Sequence, residues 1–246
     1  MKKQVIFGFC LLCLAVLPAH AQDLEIAVDN ANPPFMYNDA GKAAGLYPAM
    51  LTAIFSKMNV PVKVSAYPWK RVLKMGKDGA AGIGGIYKNP DRLKIFDYSD
   101  SIFSERLVLF INKDKAFNYS GVKDLSGKKV GILLGWSYGA DFDEAKAQKA
   151  FIAEEGKSDE ANFKKLTQGW LDCVVAIELA GQKLIAQEKL QDKIVMSGTP
   201  VAINDTYLVF AKSLDKKSLL TQFNNALAGM KNDGSYDGII KGVISD

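Results

Sequence analysis

The sequence is short of the residues on which much enzyme chemistry rests. Of its 246 residues one is histidine, His20, and three are cysteines, Cys10, Cys13 and Cys173. His20, Cys10 and Cys13 all fall in a stretch laid out like a secretory signal: basic "MKK", apolar "QVIFGFCLLCLAVLP", then small residues in "AHA". Cleavage is predicted after Ala21, so residues 1–21 are expected to be a signal peptide and the mature chain to carry no imidazole and a single thiol. Those absences exclude a Ser-His-Asp site, histidine acid–base chemistry, an internal disulfide and the usual His/Cys metal centre. No metal and no cofactor are expected. Cys173, in the apolar run "LDCVVAI", reads as a buried, inert thiol.

Other absences narrow the choice further. The N-terminal apolar run is too short for a membrane span, and neither Cys10 nor Cys13 lies in a lipoprotein cleavage box, so export to the periplasm is expected. Losing Lys2 and Lys3 lowers the formal charge from +4 to about +2, with no block of Lys and Arg interleaved with aromatics, so nucleic acid is not an expected partner. "GIGG" fails the dinucleotide spacing, because Tyr87 stands where the third glycine is required, and no phosphate loop occurs. There is no low-complexity segment, repeat or long apolar heptad, and a monomer is the default.

What is present is an α/β rhythm. "LEIAVDN", "VPVKVSAYP" and "AAGIGGIY" read as strands, and "YPAMLTAIFSKMN" and "WKRVLKMGKDG" as the helices between them, giving β-α-β-α-β and a mainly parallel sheet. "NPPFMYNDAGKAAG" reads as a loop on its Pro and Gly breakers. After the long strand "ERLVLFINKD" the pattern restarts. "KKVGILLG" reads as a strand, "SYGADFDEAKAQKAFIAEEG" and "EANFKKLTQG" as helices, "LDCVVAI" as a strand, "ELAGQKLIAQEKL" as a helix and "DKIVMSG" as a strand. "DTYLVFAK" and two amphipathic pieces close the chain. The expectation is two lobes facing a cleft: 22–110 with 208–246, and 111–207, hinged near 107–112 and 205–211. Ligands bind outside the carboxyl ends of strands in such sheets, which directs attention to "GGIY" and "LLGWS".

Arg92, in "GIGGIYKNPDRLKIFDYSD", offers a planar, bidentate grip for a carboxylate, or else pairs with Asp97 or Asp100 or is simply exposed. Gly85 allows a ligand to approach the backbone. Ser137, at an expected helix start after Gly135, offers a hydroxyl and free N–H groups to an anion, or is an ordinary N-cap. Trp69, Tyr87 and Trp136 stand at strand-to-helix junctions as stacking walls, with Tyr47 and Tyr138 as further aromatic candidates. Arg71 is a further polar contact, and Glu178 is either an ammonium anchor or a first-turn acid.

Taken in order, "NPPFMYNDAGKAAGL", "GGIYKNPDRLKIFDYSD", "KKVGILLGWSYG", "QGWLDCVVAIE" and "DTYLVFAK…FNNALAGMKNDGSYDGIIK" resemble segments of extracellular solute-binding protein family 3. The resemblance implies a two-lobe periplasmic binding protein fold, each lobe a mainly parallel sheet flanked by helices, joined by two hinge strands. It also implies capture of an amino acid or related carboxylate for the membrane subunits of an ABC transporter, and it favours Arg92 as a carboxylate grip over the salt bridge. The chain departs from the family at Tyr87, where Ser or Thr is usual, and at Trp136, where a second hydroxyl is usual. It departs again at Asn32, where an aromatic is common, and at Ile177, where the ammonium-holding acid falls by strict spacing, one position before Glu178. Two rival readings share the pocket: a cyclohexadienyl dehydratase-like enzyme with Glu178 as general acid, and a ligand sensor docking on a membrane receptor.

Overall fold

The computed structural model describes residues 24–244. The expected signal peptide, and with it His20, Cys10 and Cys13, lies outside the described residues. The first strands follow the predicted alternation of parallel strands and helices. They are β1 (Leu24–Asp29), the short β2 (Ala31–Asn32), β3 (Met36–Asp39) and β4 (Lys42–Ala44), then helix α1 (Leu46–Lys57), β5 (Val62–Tyr67), α2 (Trp69–Lys77) and β6 (Gly82–Tyr87). β1 pairs in parallel with β5 on one side, Leu24 opposite Val62, and with β6 on the other, Ile26 opposite Gly82. Every residue of β6 is buried, which explains its continuous apolar and glycine composition. The 31–44 segment is not the loop predicted from its breakers. Two tight turns fold it into a small antiparallel sheet, with Ala31 opposite Tyr37 and Asp39 opposite Lys42.

A one-turn helix α3 (Pro90–Ile95), β7 (Phe96–Tyr98) and the long β8 (Phe103–Asn112) lead into the second half. There β9 (Lys129–Leu133), α4 (Ala140–Ala147), β10 (Ile152–Gly156), α5 (Asp159–Thr167), β11 (Cys173–Ile177), α6 (Glu178–Gln187) and β12 (Ile194–Met196) follow. The long helix predicted over 137–156 is in fact helix and strand. The left-handed conformation of Lys149 ends the helical run, and Ile152–Gly156 pairs in parallel with β9. The chain returns through β13 (Ala202–Ala211) and closes with α7 (Lys217–Asp233) and α8 (Ser235–Ile244).

β8 and β13 are antiparallel neighbours in the middle of one continuous sheet, ordered β10-β9-β11-β8-β13-β6-β1-β5. The parallel strands β5, β1 and β6 stand on one side and β11, β9 and β10 on the other. α7 and α8 pack back on α1 in the first half, with the rings of Phe55 and Phe223 5.6 Å apart. Cys173 is buried in β11, and burial pushes its thiol up to about 12, in keeping with an inert packing role. Among the described residues no helix is long and apolar enough to cross a membrane.

Candidate functional site

The carboxyl end of β6 and the turn after β9 meet at one small pocket. Six residues line it: Trp69, Gly85, Tyr87, Arg92, Trp136 and Ser137. All six were singled out from the sequence, and the fold brings them together from both halves of the chain. The turn "KNPDR" sets the arginine in place. Asn89 caps α3 by accepting a hydrogen bond from Arg92 N at 2.8 Å, and Pro90 occupies the first helical position, where its missing N–H costs nothing. Arg92 is thereby turned back over the end of β6, with 7% of its surface exposed.

The guanidinium forms no salt bridge to Asp97 or Asp100, and among the described residues it has no acidic partner within ion-pair distance. Its Nη1 donates instead to the carbonyl of Tyr87 at 3.0 Å and its Nη2 to the carbonyl of Gly135 at 3.3 Å. Burial pulls the guanidinium's pKa down, opposed by Tyr98, Asp143 and Tyr87, but an arginine in a protein keeps its proton. Five N–H donors serve two carbonyls, so the fork retains capacity for an acceptor such as a carboxylate.

Aromatic rings close the space around it. The Trp69 and Trp136 ring centres lie 6.1 Å apart, and Tyr87 meets Trp136 edge-on at 6.0 Å. The Arg92 guanidinium lies 5.8 Å from the Trp69 ring centre. Gly135 takes a left-handed conformation, φ 78°, that lets its carbonyl face Arg92 and accept from Trp69 Nε1 at 3.1 Å. Trp136 Nε1 in turn donates to Asp29 at 3.2 Å, at the end of β1. Three hydrogen bonds therefore join the β9–α4 turn to the first half at this point. The remaining cavity is about 10 Å³, about the space of one water. Arg92, Gly135, Trp136 and Ser137 also line a more open pocket of about 290 Å³, together with Asn89, Asp143 and Lys146.

Two predicted residues support the pocket from behind. Tyr47 packs on Gly85, where a side chain's first carbon would come within 2.8 Å of the Tyr47 ring. Tyr138 is buried, with its hydroxyl accepting from Leu133 N at 2.6 Å. Ser137 is not the helix cap expected of it. α4 begins three residues later behind Gly139, and the Ser137 hydroxyl donates to Asp143, which also accepts from Tyr138 N. Arg71 and Glu178 lie elsewhere. Arg71 is exposed, 4.2 Å above the Tyr67 ring, because α2 turns it away from the pocket. Glu178 pairs with Arg106 of β8 at 3.1 Å, its charge met by a neighbour.

Sequence reasoning missed Asp29, Asp143 and above all Glu105. Glu105 sits in the central strand β8, 2% exposed, and accepts from both the Tyr47 and Tyr87 hydroxyls. Burial pushes its carboxyl up to about 7 even though the two phenols pull it down. Tyr87 thus spends its proton on Glu105 and presents its ring, not a hydroxyl, to the pocket. Asp29 is raised to about 6 by burial, partly offset by the Trp136 hydrogen bond. Asp29 could have been found, since it ends the first strand where ligands bind in such sheets. No signal in "FSERLVLF" marks Glu105 as inward-facing. Among the described residues no three His, Cys, Asp or Glu side chains cluster as a metal site.

The pattern of the bacterial extracellular solute-binding proteins, family 3, matches residues 24–244. The chain belongs to that family. It is 22% identical over 219 residues to the L-cystine-binding protein TcyJ of Escherichia coli (strain K12), covering 88% of this chain and 80% of that one. It is 23% identical over 246 residues to the ABC transporter arginine-binding protein 1 of the same strain, covering 96% and 97%. Among solved structures, a histidine kinase sensor domain with similarity to periplasmic binding proteins superposes with a TM-score of 0.80 at 20% identity, covering 91% of this chain and 96% of that one. The fold is the two-lobe arrangement of periplasmic binding proteins, with β8 and β13 running between the lobes. The chain is thus a solute-binding protein, and its Arg92 pocket draws on residues from both halves of the chain.

Proposed function

We propose that this chain is a periplasmic receptor that captures an amino acid, or a close carboxylate relative, between its lobes and delivers it to an ABC transporter. The observation that carries the reading is Arg92, a buried cation beside a strand's carboxyl end with no acidic partner among the described residues. An ion desolvated in this way is costly unless something answers its charge. The ligand carboxylate would take the place now held by the Gly135 carbonyl, with Trp69, Tyr87 and Trp136 as walls and Ser137 alongside. Closure would be a hinge motion about β8 and β13, dividing the chain into 22–110 with 208–246, and 111–207. Export would follow removal of residues 1–21. The amino acids named for relatives, cystine and arginine, support the ligand class without choosing among its members.

The reading includes no chemical step. Glu178, the acid a dehydratase on this fold would need, is paired with Arg106 and does not line the Arg92 pocket. Calorimetric titration of the purified protein with a panel of amino acids, with Arg92→Ala alongside, tests the assignment. A ligand whose binding vanishes in the variant supports it. Undiminished binding to Arg92→Ala overturns it, and loss of the ligand from solution as product would make the protein an enzyme instead.

A further inference from the structure

A second groove opens at the rim of the cleft, lined from the first lobe by Pro33 and Pro34 and from the second by Asp159, Glu160, Lys183 and Leu184. Its volume is about 250 Å³. Asp159 is the unusual member. It is the first helical residue of α5, but the capping role belongs to Ser158, whose hydroxyl accepts from Ala161 N at 3.3 Å. Asp159 has 9% of its surface exposed, and its Oδ1 is buried without a hydrogen-bond partner. The charges acting on it are those of Glu160 and Asp29, both acids, and together with burial they push its carboxyl up to about 7. Lys183 lines the same groove yet forms no ion pair among the described residues.

A buried carboxyl facing other acids, with one oxygen unanswered, wants a cation from outside the chain. A bare metal ion would need several converging oxygen donors, and no such cluster exists among the described residues. A groove that mixes apolar residues such as Pro33, Pro34 and Leu184 with the acids Asp159 and Glu160 suits a cation carried on a hydrocarbon body. We propose that this groove is a second binding site that receives an aliphatic primary ammonium ion. Asp159 accepts the head at the buried end, Glu160 adds attraction at its rim, and Pro33, Pro34 and Leu184 contact the alkyl chain. Because the walls come from both lobes, the bound amine also bridges them.

The test is calorimetric titration of the purified protein with n-pentylamine, and with n-pentanol as its uncharged counterpart. The amine is expected to bind and the alcohol to bind about tenfold more weakly or not at all, the margin of one charge-assisted hydrogen bond. Asp159→Asn should weaken the amine by a similar factor while the thermal midpoint stays level or rises. Lys183→Met should strengthen it by removing a like charge, and Arg92→Ala should leave it unchanged, which separates this groove from the first pocket. Equal binding of amine and alcohol would mean an apolar groove without charge recognition and would overturn the proposal. So would unaltered amine binding in Asp159→Asn, or no amine binding up to millimolar concentration. If Asp159→Asn does not fold, the wild-type amine–alcohol comparison and Lys183→Met still decide.

Discussion

Arg92 and Asp159 are mirror cases, a buried cation without an acid and a buried acid without a cation. The protein treats them differently because their chemistry differs. Arg92 cannot lose its proton, so the fold must solvate it, and the carbonyls of Tyr87 and Gly135 do so. Asp159 can take up a proton when nothing answers its charge, and its carboxyl is accordingly pushed up to about 7. Glu105 is the instructive third case, also buried and also raised to about 7, yet held by two tyrosine hydroxyls.

The largest expected effect is on ligand affinity. Arg92→Ala should weaken a carboxylate ligand by about 100-fold or more, as truncation of a buried, hydrogen-bonded charge partner does. Asp159→Asn should change the same affinity less than about threefold. Equal losses in calorimetry would erase the distinction between the two sites.

Next in size is stability. Glu105→Ala strands two buried phenols and should cost about 2–4 kcal/mol by urea unfolding. Asp159→Ala removes a group that no partner satisfies and should cost less than about 1 kcal/mol. Similar costs would mean that Asp159 has a partner after all.

A smaller effect concerns pH. Asp29, Glu105 and Asp159 titrate in the folded protein at about 6, 7 and 7, above an ordinary carboxyl. The unfolded chain therefore sheds these protons first, and stability falls as pH rises from about 4 through 7. Glu105 is faced by Tyr47 and Tyr87, Asp159 by Glu160 and Asp29 with Lys183 in the same groove but not paired to it, and Asp29 by the Trp136 N–H, so no ion pair offsets the trend. Thermal midpoints across that range should slope downward, less steeply in Asp159→Asn and unchanged in slope in Arg92→Ala. A flat wild-type profile would refute the burial argument.

The smallest effect belongs to Trp136→Phe, which deletes the hydrogen bond to Asp29 while keeping a ring against Tyr87. About 1 kcal/mol is expected, read as a lower thermal midpoint. No change would show that this link between the lobes contributes nothing to closure.

The Arg92 pocket was legible because its parts are local. Arg92 follows a strand end, and the glycines and aromatics fall at strand ends where a β-α rhythm puts a cleft, while the cap that aims Arg92, Asn89 with Pro90, appears only in the structure. The strand Ile152–Gly156 was not legible, because "FIAEEG" carries acids that suit a helix and becomes a strand only by pairing with β9. Glu105 and Asp159 were missed for a related reason. An acid in an alternating strand and an acid in a helix's first turn both read as solvent-facing, and nothing nearby in sequence says otherwise. Glu178 took its partner Arg106 from 72 positions away.

The sequence by itself determined most of the elements and the arginine that follows β6, since these depend on neighbours within a few positions. The tertiary structure alone decided which charges are answered. Arg92 and Gly135, Glu105 and Tyr47, and Glu178 and Arg106 come from distant parts of the chain, and burial, which sets the cost of an unanswered charge, exists only once the lobes have packed.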